Sequence, residues 1–173
     1  MSQYGEVENL DVHHENFKSL FQNEMLKITS VGIGTYMGDP DDHTDFDMYN
    51  AIKTSVLSGG VNHIDTAPNY RYMKSEKTVG KVLTVLEQKY DIRRDQLFVA
   101  SKGGYVPEDA DEMISQREMI EKLLELGVPQ DSIVKESGHC LDPLFLEHQL
   151  DESLKRLNLE CLDVYYLHNP YEA

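Results

Sequence analysis

The sequence is 173 residues long and 40% hydrophobic, and its 16 basic and 31 acidic residues give a formal net charge of -15. These values predict one globular domain rather than a disordered chain, and the negative field disfavours nucleic acids and anionic lipid surfaces as partners. There is no apolar run of spanning length, no leader-like N-terminus and only two cysteines, Cys140 and Cys161, so we expect a cytoplasmic protein.

The N-terminal part of the chain predicts an acidic arm or hairpin over residues 1–25. The stretch "FKSLFQNEMLKI" places a polar Gln-Asn pair between two apolar stretches, which fits a small hairpin between roughly Phe17 and Ile28. A single helix with its apolar residues on one face fits nearly as well, so both interpretations stay open.

From residue 26 onward, short apolar strands alternate with amphipathic helices. The strands are expected in "SVGIGTY", "VNHIDTA", "QLFVASK" and "LDVYYLH". Three crossover helices are expected between them. The first begins at Thr44 as N-cap, the second lies in "SEKTVGKVLTVLEQKY", and the third begins at Asp142 with a leucine stripe at 146, 150, 154 and 157. This alternation predicts an α/β fold with a parallel sheet and right-handed crossovers.

A long helical excursion, residues 105–141, separates the third strand from the last crossover helix. From Tyr105 to Asp142 the chain carries ten acidic and three basic residues. A helix is predicted at about Ser115–Leu126, with Ser115 as its N-cap and Gly127 as its stop. We expect this segment to be solvated and to lie above the ends of the strands.

Polar residues stand where three of the four predicted strands end, namely Asp65, Lys102 and His168, and Tyr70 follows Asp65 by five positions. Because the carboxyl ends of parallel strands in a barrel share one face, we expect these side chains to meet. An ammonium group beside a tyrosine makes its hydroxyl a better proton donor, and a neutral histidine can orient a substrate oxygen. Taken singly, each residue is more simply interpreted as a polar group that reaches water at a strand end. Taken together on one face, they predict an acid site for a carbonyl that becomes an alkoxide.

Six motifs occur in an order that resembles the aldo-keto reductase superfamily, over the span from about Leu26 to Pro170: "VGIGTY", "HIDTAPNY", "SEKTVG", "LFVASKGG", "LDESLKRL" and "DVYYLHNP". The resemblance is to the N-terminal half of that family's barrel, in a subgroup with an enlarged loop after the third strand. It implies an eight-stranded β/α (TIM-type) barrel and NADPH-dependent reduction of aldehydes and ketones.

The resemblance also implies roles for individual residues. Tyr70 would be the proton donor, Lys102 and Asp65 would tune it, and His168 would orient the carbonyl. The positions that would contact the cofactor in this half of the barrel are Gly34, Thr35, Asp65 and Asn169.

The sequence departs from the family in the number of β/α units. A barrel of this type needs about 250 residues, whereas four strands and three crossover helices are predicted here, a half-barrel over residues 26–173. We therefore expect a chain that carries the tetrad but is inactive alone, because most cofactor contacts would come from later strands. The exposed sheet edges would be covered by another protein chain or by self-association. The alternative is a non-catalytic structural or interaction subunit of a larger assembly.

Other signals are weaker. "GIG" at 32–34 does not continue as G-x-G-x-x-G, because position 37 is Met, so it predicts tight packing rather than a dinucleotide site. The pairs His13-His14 and His139-Cys140 lack further ligands at metal-site spacing, so no metal is expected. Gly103-Gly104 fits a close approach of the backbone to a ligand and a plain turn about equally.

Overall fold

The computed structural model describes the backbone of residues 17–19 and 27–172, and the side chains of residues 28–172. Strand β1 (Phe17–Ser19) pairs antiparallel with β2 (Lys27–Thr29), with Lys18 opposite Ile28. Residues 17–19 and 27–29 therefore form the paired strands that the hairpin interpretation predicts, and residues 17–19 are not helical. The remainder of the arm predicted over 1–25 lies outside the described residues.

Four parallel strands form the main sheet. They are β3 (Ile33–Gly34), β4 (His63–Asp65), β5 (Phe98–Gly103) and, after a two-stranded insertion, β8 (Val164–Leu167). Their spatial order is β3-β4-β5-β8, and each neighbouring pair is parallel. This order confirms the prediction of successive βαβ units and a TIM-type α/β arrangement of these strands.

Helix α1 (Asp42–Leu57) begins earlier than the sequence pattern predicts. Its N-cap is Asp41, whose carboxylate accepts a hydrogen bond of 2.7 Å from the Thr44 backbone N–H. The prediction of Thr44 as N-cap is therefore wrong. Both residue types are good N-caps, and the tertiary structure selects the aspartate three residues upstream.

Helices α2 (Lys74–Tyr90) and α4 (Pro143–Leu157) pack against each other and, with α1, against the sheet. The main core comprises buried apolar residues of these helices, of β4 and β5, and of the position before β5: Ile52, Val56, Ile64, Val79, Val82, Leu83, Leu86, Leu97, Val99 and Leu157.

The buried face of α4 is not the predicted leucine stripe. The fully or nearly fully buried positions are Phe145, Gln149, Ser153 and Leu157, whereas Leu146, Leu150 and Leu154 are half-buried. The stripe through Gln149 is buried because its amide bonds the backbone of the excursion, with 2.7 Å from Nε2 to the Tyr105 carbonyl oxygen.

The excursion contains α3 (Gln116–Glu125) and a hairpin of β6 (Ile133–Val134) and β7 (His139–Cys140). Helix α3 begins after its N-cap Ser115, as predicted, and the Glu118 side chain caps the Ser115 backbone in return. Many residues of the excursion are exposed, as expected of a solvated segment, and α3 buries Leu123 alone. The sequence pattern does not predict the apolar core that the excursion shares with the start of α4: Val106, Leu123, Val128, Ile133, Cys140 and Phe145.

Among residues 27–172, no helix is both long enough and apolar enough to cross a bilayer.

Candidate active site

The carboxyl ends of β4 and β5 bring Lys102 and Asp65 together. Lys102 Nζ donates to Asp65 Oδ1 at 2.5 Å and to the Thr66 carbonyl oxygen at 3.0 Å. Both side chains are largely shielded, with 14% of the lysine and 31% of the aspartate exposed. The ammonium group is fixed at the end of the sheet, because both a carboxylate and a backbone carbonyl oxygen accept hydrogen bonds from it.

Tyr70 precedes a backbone turn of unusual conformation. The next three residues, Arg71, Tyr72 and Met73, all have positive φ, between 50° and 68°. None is a glycine, so the left-handed conformation carries a conformational cost that other contacts must offset. The Met73 N–H donates to the Pro68 carbonyl oxygen at 3.0 Å, which closes the turn.

The side chain of Arg71 anchors this turn to the β3–α1 connection and to α1. Its Nε donates to the Asp39 carbonyl oxygen at 3.2 Å, and its Nη2 donates to Asp45 Oδ1. Only 1% of the Arg71 side chain is exposed, and burial lowers its pKa. Asp45 also accepts from Lys74 and Thr78, so the anchor belongs to a charged network.

The Tyr70 ring lies among three other site groups. Lys102 Nζ is 4.8 Å from its centroid, and the His168 ring meets it edge-on at 5.7 Å between centroids. The Tyr36 ring contacts it from the β3–α1 connection at 5.1 Å. The Tyr70 hydroxyl forms no hydrogen bond with any group in residues 28–172, so it can bind a substrate oxygen.

His168 follows the last residue of β8. The backbone N–H of His168 donates to the Gly103 carbonyl oxygen at 2.8 Å, which extends the β5–β8 pairing by one residue. Burial, and secondarily the positive charge of Lys102, lower the pKa of the imidazole below its ordinary value of 6.5. The ring is therefore neutral at pH 7 and can donate one hydrogen bond to a carbonyl oxygen.

The structure thus brings together the four residues Asp65, Tyr70, Lys102 and His168, as the sequence analysis predicts. The four residues expected to contact a cofactor differ in what they offer. Gly34 faces open space, with nothing within 4 Å of the position of a Cβ. The Thr35 hydroxyl is fully buried and bonds the Thr66 hydroxyl at 2.9 Å. The Asn169 amide donates to the Tyr105 hydroxyl at 2.9 Å.

The two cations nearest the tetrad are already engaged by carboxylates, which leaves little positive charge for the phosphates of a cofactor. Lys102 is paired with Asp65 and Arg71 with Asp45. Among residues 28–172, no group of three or more His, Cys, Asp or Glu side chains is placed to hold a metal ion.

Several residues around the site were missed by the sequence analysis. Tyr105 contacts the His168 ring at 5.0 Å between centroids, and its hydroxyl donates to Glu172 at 2.5 Å. His139, which the sequence pattern presents as half of a metal-like pair, contacts both Tyr105 and His168. The sequence does carry a signal for Arg71. It is a basic residue directly after the predicted proton donor with no charge partner nearby in sequence, which indicates a partner from a distant segment.

The fold and the site define an α/β protein with a tyrosine, a lysine, an aspartate and a histidine at the carboxyl ends of parallel strands. The chain belongs to the aldo/keto reductase family, whose family model matches residues 30–173. This confirms the resemblance seen in the sequence motifs.

Individual relatives show the same likeness. The chain is 28% identical over 147 residues to the NADH-specific methylglyoxal reductase of Escherichia coli (strain K12), covering 83% of this chain and 39% of that protein. It is 27% identical over 157 residues to the glycerol 2-dehydrogenase (NADP(+)) of Saccharomyces cerevisiae, covering 91% and 35%. A solved structure of a thermostable aldo-keto reductase with the inhibitor epalrestat matches with a TM-score of 0.54 and 25% identity, covering 90% of this chain and 44% of that one. The chain thus spans less than half the length of these proteins.

Proposed function

We propose that this chain carries the acid site of an NADPH-dependent aldehyde or ketone reductase. The observation that carries the proposal is the Tyr70 hydroxyl, which has no protein partner in residues 28–172 and belongs to a ring that contacts both Lys102 and His168. A tyrosine whose hydroxyl is free and whose ring contacts an ammonium group and a neutral imidazole suits protonation of an oxygen that gains negative charge.

The roles follow from these contacts. Tyr70 donates its proton to the carbonyl oxygen as that oxygen becomes an alkoxide. His168, neutral at pH 7, donates a hydrogen bond that orients the same oxygen. Lys102, held by Asp65 and the Thr66 carbonyl, supplies positive charge beside the tyrosine. When bound, the reduced nicotinamide supplies the hydride for such a reaction.

The cofactor proposal rests on the family and on the names of the relatives. The yeast relative is named for NADP(+), whereas the E. coli relative is named NADH-specific. We propose NADPH, with its nicotinamide beside Gly34, Thr35, Asp65 and Asn169. Because Lys102 and Arg71 are paired with carboxylates, we propose that other groups bind the phosphates.

We further propose that residues 1–173 reduce no carbonyl by themselves and require a protein partner or self-association along the sheet edges. The second candidate function is a non-catalytic structural subunit. It is favoured by the pairing of Lys102 and Arg71 with carboxylates, because paired cations are less available to bind cofactor phosphates. The Tyr70 hydroxyl favours the catalytic role, because a purely structural subunit has no use for an unpaired phenol beside a largely shielded lysine.

The test uses the native assembly, meaning everything isolated through a tag on this chain. Reduction of aldehydes with NADPH is measured with the unaltered chain and with Tyr70→Phe. The variant should lose about 10²–10⁴ in rate, the usual contribution of general acid catalysis, with NADPH affinity unchanged. Full activity of Tyr70→Phe would remove this residue from the mechanism, and an assembly inactive toward every carbonyl tested would favour the structural role.

A further inference from the structure

His139 lies in β7 of the excursion and touches the backbone of the candidate catalytic histidine. Its side chain is fully buried, and its Nε2 is 2.6 Å from the His168 carbonyl oxygen. A carbonyl oxygen only accepts, so Nε2 carries the proton and donates. Within residues 28–172, the buried Nδ1 has no hydrogen-bond partner. Among these residues, the bond to the His168 carbonyl oxygen is therefore the one hydrogen bond that the imidazole forms.

Gly104 gives this hydrogen bond its space. Its φ is +150°, and a Cβ at this position would lie 2.8 Å from both His139 Nε2 and the His168 carbonyl oxygen. Such a contact is closer than real Cβ atoms show, so a side chain at 104 would separate the two groups. The Cys140 N–H also donates to the Gly104 carbonyl oxygen at 2.6 Å, which fastens β7 against this glycine.

Tyr105 completes the contact between the excursion and His168. Its ring meets the His139 ring edge-on at 4.8 Å and the His168 ring edge-on at 5.0 Å between centroids. Its hydroxyl is fixed by Glu172 and by Asn169, the residue that follows His168. The His168 ring is therefore held between Tyr105 and Tyr70, while its peptide is held by His139.

We propose that His139 is a positioning residue for His168, through which the excursion sets the orientation of the carbonyl-binding imidazole toward Tyr70. The proposal rests on the proposed function, since it assigns His168 the task of orienting a substrate oxygen. It also gives the excursion a role in the chemistry, although no part of it needs to touch the substrate.

The test compares His139→Phe, which keeps a ring but loses the donor, with His139→Gln, whose amide can still donate to the carbonyl. In the native assembly, His139→Phe should lower kcat about ten- to a hundred-fold, as misplacement of a catalytic group by about 1 Å does, with the KM for NADPH unchanged. His139→Gln should recover most of the rate. Cys140→Ala, which alters the neighbouring buried residue in the same strand, is the control and should keep the parent kcat.

An activity-independent readout separates this inference from the proposed function. In NMR spectra of histidine-labelled protein, with His168→Gln identifying the signal, His139→Phe should shift the His168 ring resonances and Cys140→Ala should not. Shifted resonances in an assembly that reduces no carbonyl would support the positioning and overturn the function. Unchanged kcat and unmoved His168 resonances in folded His139→Phe would overturn the positioning and leave the function standing. Should His139→Phe fail to fold, His139→Asn, whose side chain is too short to reach the carbonyl, takes its place with the same expected loss.

Discussion

Arg156 on α4 donates from Nε to the fully buried Oε2 of Glu76 on α2, at 2.7 Å. The other carboxylate oxygen accepts from the Ser101 hydroxyl of β5 at 2.6 Å. One buried carboxylate therefore joins two helices to the sheet directly beneath the site, since Ser101 precedes Lys102. Both residues belong to sequence motifs that carry the family resemblance, "SEKTVG" and "LDESLKRL".

The first prediction concerns this pair. Arg156→Met should lower the free energy of unfolding by about 3–5 kcal/mol, because it leaves the Glu76 charge buried without its partner. The double variant Glu76→Gln/Arg156→Met should recover much of the loss, since the neutral amide can still bond Ser101. Urea unfolding followed by circular dichroism measures both. Equal destabilisation in the single and the double variant would contradict this account.

A second prediction concerns Gly80, where α2 and α4 approach each other closely. A Cβ at this position would lie 3.0 Å from Leu157 Cα and still closer to the Arg156 carbonyl oxygen. Gly80→Ala should therefore destabilise the protein, although alanine in a helix interior is ordinarily about 1 kcal/mol better than glycine. Gly60→Ala is the control, because its Cβ would meet nothing closer than 3.5 Å, and should leave the melting temperature within a degree or two of the parent (about 0.5 kcal/mol).

The third prediction concerns the left-handed turn after Tyr70. Arg71→Leu removes the contacts to Asp39 and Asp45, so the turn should relax and kcat in the native assembly should fall about ten-fold or more. The effect on unfolding should be smaller, since Asp45 keeps Lys74 and Thr78 as partners. Arg117→Leu, at an exposed surface pair with Glu121, is the matched control and should change neither. If Arg71→Leu keeps the kcat of the parent, the turn positions Tyr70 without the contacts of Arg71.

The fourth prediction concerns pH. Burial and Lys102 lower the pKa of His168, while Asp65 and Glu172 act in the opposite direction and His139 adds a small lowering effect. The NMR titration midpoint of His168 should therefore lie below 6.5 in the folded protein and rise toward that value in urea.

The same shift predicts the sign of the dependence of stability on pH. The unfolded chain binds the proton more readily than the folded chain, so the free energy of unfolding falls as the pH drops from about 6.5 toward the lowered pKa. His63, whose pKa burial also lowers, acts in the same direction. His168→Gln should flatten this slope. A slope of opposite sign between pH 7 and 5 that disappears in His168→Gln would contradict the assigned direction.

Much of the fold follows from local patterns. The alternation of short apolar runs and amphipathic helices is sufficient for the strand order, and that order alone places Asp65, Lys102 and His168 at one end of the sheet. The buried face of α4 could not be predicted, because the stripe at 145, 149 and 153 lies one residue from the leucines at 146, 150 and 154 and is less apolar. Gln149 is buried through bonds to Gly104 and Tyr105 that no helical periodicity reveals.

The parts of the site that could not be predicted depend on contacts between distant segments. The strongly acidic composition of the excursion gives no indication of its apolar core, which includes Phe145 of α4. The His139–His168 bond joins residues 29 positions apart. The left-handed turn at 71–73 has no glycine to signal it, because its conformation is imposed by Arg71 and its partners rather than by local propensity.

The last prediction concerns the outer edge of the sheet. In the described residues, β8 pairs with β5 on one side only, and its Tyr166 and Leu167 side chains are 46% and 52% exposed. Unpaired backbone groups along such a strand offer a template for pairing with another strand. The net charge of -15 opposes association of copies of the chain, but charge does not supply hydrogen-bond partners for a strand edge.

Purified residues 1–173 should therefore sediment as oligomers, with the proportion of larger species rising with protein concentration. Leu167→Lys should shift the distribution toward monomer, because a charged side chain on an edge strand opposes pairing. Met113→Lys, an equally drastic change at a residue of the excursion that is 85% exposed, is the control and should leave the distribution unchanged. A compact monomer at all concentrations, unfolding cooperatively in urea, would mean that the chain itself satisfies the β8 edge, and the proposed requirement for a partner or for self-association would be abandoned.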